Sequence, residues 1–81
     1  MTRNDGVEVR RERIAIVNET IVAVLYADKD KAEISLDTVV AEIEYSTGLT
    51  QKRIFEYASI GEKRSRFVID IKNNLIKKPE V

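Results

Sequence analysis

The chain has 81 residues, 43% of them hydrophobic and 35% charged, and its basic and acidic side chains cancel to a formal net charge of zero. That length suits one small domain, the apolar share is that of a globular rather than a disordered chain, and no run of ~18 apolar residues offers a membrane span. Cysteine and histidine are both absent, which removes a thiol nucleophile, an imidazole base and a Cys/His zinc site, and no Asp/Glu spacing resembles an EF-hand loop.

No cofactor or metal is therefore expected. The polar start Met1-Thr2-Arg3-Asn4-Asp5-Gly6 lacks the apolar core of a signal peptide, so a cytoplasmic protein is the default expectation. The lack of Cys and Trp, a lone glutamine at Gln51 and the high charged share fit a thermophile-like composition. Charge is unevenly distributed. Residues 1–48 hold six basic and ten acidic side chains, whereas residues 49–81 hold eight and four. The C-terminal half thus presents its surplus to something negative, or the split is simply a dipolar, solvated surface.

Residues 1–6 read as a flexible tail. Val7 to Ala27 is the longest helical pattern, with Ile14, Val17, Ile21 and Val24 in a heptad-like seam that Leu25 widens. Ile16, Val22 and Ala23 add apolar surface outside that stripe. A helix apolar on more than one face is either shared with a second copy or has a broad core face. The first reading makes Ile14, Val17, Ile21, Val24 and Leu25 a homodimer seam.

Ala27 to Lys31 is a charged loop, and Ala32-Glu33-Ile34 reads as a short strand. Ser35 suits an N-cap, with Asp37 at the positive end of the helix dipole. Leu36, Val39, Val40 and Ile43 make one apolar face of the helix that follows. Gly48 sits where a C-cap takes a left-handed residue, Leu49 plugs the junction, and Thr50 is a second N-cap. The next helix carries Ile54, Phe55 and Ala58 on one face, with Lys52, Arg53, Glu56, Ser59 and Lys63 opposite. Ile60 lies near that outer face, where it would pack under the following ribbon. Phe67, Ile69 and Ile71 then alternate with Val68 and Asp70, and Asn73-Asn74 suits a two-residue turn before Leu75-Ile76-Lys77-Lys78. Val68, Ile71 and Leu75 also satisfy helical spacing, but β-branched enrichment and the Asn pair favour the hairpin.

This order resembles the winged helix-turn-helix family. Ser35-Leu36-Asp37-Thr38-Val39-Val40-Ala41-Glu42-Ile43 looks like its second helix, Thr47-Gly48-Leu49-Thr50 like its turn, and Gln51 to Ile60 like its recognition helix. Arg66 to Asp70, Lys72-Asn73-Asn74 and Leu75 to Lys77 look like the wing. The resemblance covers roughly residues 14–78 and is of the kind seen in small archaeal regulators and archaeal viral or plasmid proteins. It implies a mainly helical fold with a small β-hairpin, three helices plus a wing, forming one domain over residues 7–78.

The resemblance also implies a partner, double-stranded DNA, and a role in transcription regulation as a homodimer. By position, Gln51, Lys52, Arg53, Glu56 and Ser59 would face DNA, with Lys63, Arg64 and Arg66 beside them and Lys72, Asn73 and Asn74 at the wing tip. The major groove admits one helix; Arg53 suits guanine, Gln51 adenine and Glu56 cytosine, while Lys52, Lys63, Arg64 and Arg66 suit phosphates. The alternative is a winged helix used as a protein–protein interaction module within a transcription, replication or repair assembly. Glu56 within the basic face, the acidic outer side of the second helix (Asp37, Glu42, Glu44) and an exposed Tyr45 favour it. Tyr57 reads as a half-buried core residue. An enzyme is not expected: Glu42 and Glu44 form a carboxylate pair on a surface helix, and no Gly-rich phosphate loop is present.

Overall fold

The fold is that of a computed structural model, which describes residues 5–79, with side chains from residue 9 onward. Among these residues the elements run α1 (Asp5–Tyr26), β1 (Glu33–Ser35), α2 (Leu36–Thr47), α3 (Gln51–Lys63), β2 (Val68–Asp70) and β3 (Leu75–Lys77). The expected mainly helical domain with a small hairpin is present. The hairpin gains a third strand: β1 pairs antiparallel with β3, giving the order β1-β3-β2, an arrangement compatible with a winged helix. Ile76 stands at the centre, opposite Ile34 on one side and Ile69 on the other.

Several expected boundaries move. Asp5 and Gly6, assigned to the tail, are helical; the rest of that tail, residues 1–4, lies outside the described residues. The first strand ends at Ser35 instead of Ile34. The wing turn is longer than two residues, running from Ile71 to Asn74 between paired Asp70 and Leu75. Only Asn74 takes a positive φ there, at 58°. Asn73 is held instead by Asp70, whose carboxylate accepts from its backbone N–H (3.1 Å) and its side-chain amide (2.8 Å).

Three helical stripes, one strand residue and the residue that precedes β2 meet in one core. α1 gives Val17, Ile21 and Leu25; α2 gives Leu36, Val39, Val40 and Ile43; α3 gives Ile54, Tyr57 and Ala58; Phe67 and Ile76 close it. This corrects the dimer seam. Val17, Ile21 and Leu25 are buried within one chain, and Ile14 and Val24 pack at the core's edge. The heptad-like stripe serves the chain's own helices and sheet, because a domain this small must bury its longest helix to enclose any core. Val22 joins that edge, while Ala23 and Ile16 stay exposed. Tyr57 is fully rather than half buried. Ile60, expected under the ribbon, is half-buried and lines a depression with Ile14 and Asn18 of α1.

α1 and α3 approach closely at one point. The Asn18 side-chain amide donates to the carbonyls of Ile14 (2.9 Å) and Tyr57 (3.0 Å), which fixes its orientation, and its Oδ1 has no hydrogen-bond partner. That oxygen lies against Gly61, where an added Cβ would overlap it and come within 2.8 Å of Phe67 Cζ. Glycine at 61 is what lets the helices meet.

Candidate nucleic-acid interface

Local chemistry sets the turn before α3. Gly48 adopts φ 74° and its N–H donates to the Glu44 carbonyl (2.9 Å), ending α2 in a left-handed cap. The Thr47 hydroxyl donates to the Ile43 carbonyl (2.6 Å) and accepts from the Leu49 N–H (3.1 Å), and Leu49 packs against the core. Thr50 Oγ1 then accepts from the Arg53 N–H (3.3 Å), starting α3 as expected. The α2 cap is also as expected, Ser35 Oγ accepting from the Thr38 N–H (3.4 Å).

α3 keeps Ile54, Tyr57 and Ala58 inside and leaves Gln51, Lys52, Arg53 and Glu56 exposed, with Ser59 half-buried. Four of these five side chains, all but Lys52, already have partners. The Gln51 amide donates to Glu44 Oε1 (3.3 Å), the Ser59 hydroxyl donates to the Glu56 carbonyl (2.7 Å), and Arg53 pairs with Glu56 at 3.6 Å. The Arg53–Glu56 pair is solvent-exposed on both sides and holds Arg53 only weakly. Lys63 and Arg64 are exposed at the far end of α3.

Arg66 is drawn away from this surface. It pairs with Glu19 of α1 at 2.7 Å, and its hydrogen bond holds the Glu19 carboxyl below the usual range. At the wing, Lys72 is exposed, and Asn73 is bound to Asp70. Asn74 faces the helices: its carbonyl accepts from the Leu36 N–H (3.0 Å) and its Oδ1 from the Asp37 N–H (3.1 Å). It therefore caps α2 from 37 residues away, a structural task in place of the expected wing-tip one. Asp70 is held below the usual carboxylate range, chiefly by the Asn73 side-chain and backbone donors and then by Lys77 at 3.2 Å.

Sequence reasoning missed two cations. Arg10 and Arg13 of α1 line a shallow groove of about 580 Å³ with Gly48, Thr50, Arg53 and Tyr57, so α1 adds charge at the N-terminal end of α3. Their signal was local, Arg10-Arg11-Glu12-Arg13, and the acidic balance of the whole N-terminal half masked it. Tyr45 is 93% exposed on α2, as expected. Among the described residues no helix is long and apolar enough to cross a membrane, and no cluster of acidic side chains is arranged to hold a metal. No protein-family model, curated protein or solved structure matches the chain.

Proposed function

We propose that this protein binds double-stranded DNA, with α3 entering the major groove and the wing lying along the backbone or in the minor groove, in the transcription-regulating role that the winged-helix resemblance implies. The observation that carries this reading is the exposed start of α3, where Gln51, Lys52 and Arg53 stand on a helix fixed from behind by the Gly48 and Thr50 caps. A rigid helix offering an amide and a guanidinium near its N-terminus has the donors and acceptors that base edges require. Lys63, Arg64 and Lys72 supply exposed positive charge at the far end of α3 and on the wing. Homodimerisation loses its expected seam to the core, so one chain engaging one site is the simpler form.

Fluorescence anisotropy of labelled random-sequence duplex at ~50 and ~200 mM salt tests this, each phosphate contact contributing about −0.9 to the slope of log affinity against log salt. Binding that weakens steeply with salt supports the reading; absence of binding at the lower salt defeats it. In that event the protein-interaction reading takes over, for which the 93% exposed Tyr45 among Glu42 and Glu44 is the specific observation.

A further inference from the structure

We infer that the groove between α1 and the start of α3 is a clamp for one DNA backbone phosphate stretch, with Arg10 and Arg13 of α1 as its jaws and Arg53 as the link to the reading face. The inference rests on the DNA-binding reading and adds to it a second element of the chain.

Arg10 and Arg13 lie three apart, on one face of α1, and both border the groove that Arg53 borders from α3. The fold thus brings three arginines from two elements to the lining of one depression. Like charges around a shared groove repel, and an anion seated among them reverses the sign of that interaction. Guanidinium forks match phosphate oxygens in geometry as well as charge. Glu56 is the carboxylate paired with Arg53, at 3.6 Å and with both side chains exposed, so an incoming phosphate displaces it at little cost. The groove is also continuous with the proposed reading face, since Arg53 belongs to both. The two adjacent phosphates that Arg10 and Arg13 neutralise there fix the depth and register of α3 without themselves reading sequence.

The test is the double variant Arg10→Gln/Arg13→Gln, which replaces each guanidinium by a neutral amide, titrated with the same random duplex at several salt concentrations. Both residues are exposed, so the thermal midpoint should stay at the wild-type value. The salt slope should become shallower by about 1.8, because two phosphates are no longer neutralised. Lys29→Gln/Lys31→Gln, which removes the same charge beyond the other end of α1, should leave the slope unchanged. Wild-type binding with an unaltered slope in the arginine variant overturns the clamp and leaves the DNA-binding reading standing. An equal loss in the lysine variant also overturns it, by showing a bulk charge effect. A wild-type chain that binds no duplex overturns both.

Discussion

Gly61→Ala is the sharpest test of how the helices are packed. On helix propensity alone the change should stabilise α3 by roughly 1 kcal/mol. The tertiary environment opposes it. The new methyl would overlap Asn18 Oδ1 and approach Phe67 Cζ to 2.8 Å, and both side chains are buried, so neither can swing into solvent. Overpacking of this kind costs about 1–3 kcal/mol. If Asn18 yields, its bonds to the Ile14 and Tyr57 carbonyls are strained or lost, at about 0.5–1.5 kcal/mol each. Taking the middle of each range, the balance is a net destabilisation of about 3 kcal/mol, the overpacking and hydrogen-bond terms together outweighing the propensity gain. For a domain of this size that lowers the thermal midpoint by roughly 10–20 °C. Circular dichroism melts and urea titrations of the single and double variants read it. Asn18→Ala in the Gly61→Ala background should be less destabilised than the sum of the singles by at least about 1 kcal/mol, because the obstructing oxygen is gone. An unchanged or raised midpoint for Gly61→Ala would refute the close approach of α1 and α3, and strict additivity would acquit Asn18.

Gly48→Ala should cost about 1–2 kcal/mol in the same melts, purely from φ 74°, since nothing lies within 4 Å of the added Cβ. Gly48→Val should cost more still, and a neutral result for either variant would remove the cap. Asn74→Ala should lose about 1–2 kcal/mol from its left-handed backbone and its bond to the Asp37 N–H, and Asn74→Gly, which restores only the backbone freedom, should lose less; equal losses would assign the effect to the side chain alone. The Asp70 carboxyl is depressed in the folded state, so its contribution is present above its unfolded value, near 3.9, and is lost as pH falls further through the folded value. Melts from pH ~5 to ~2 should therefore show a smaller acid-side loss for Asp70→Asn than for wild type, and parallel curves would deny the linkage. Arg53→Ala should weaken a selected DNA site by about 1–3 kcal/mol and relax its sequence preference, and an unchanged binding profile removes Arg53 from readout.

The features legible in the sequence are those whose cause lies within three or four residues. Ser35, Gly48 and Thr50 act on the backbone of their own turns, so their types and spacing announce the helix ends wherever the helices go. The alternation from Phe67 to Ile71 is equally local, and it led to the hairpin even though the turn proved longer, because Asp70 binds Asn73 and leaves only Asn74 left-handed.

Partners distant along the chain were settled by the tertiary structure. The stripe Val17, Ile21, Leu25 states that a face is buried without saying against what, since apolar burial is non-directional; packing gave it to the chain's own core. Arg66 reads as a free cation until α1 brings Glu19 to it, and Asn74 as a wing-tip residue until the sheet sets it over the first turn of α2. Arg10 and Arg13 sit forty residues or more from Arg53 in sequence, and only the crossing of α1 over α3 puts them around one groove. Periodicity and capping act over single turns of chain, whereas charge and contact act over ångströms of space, and the two coincide only once the helices have packed.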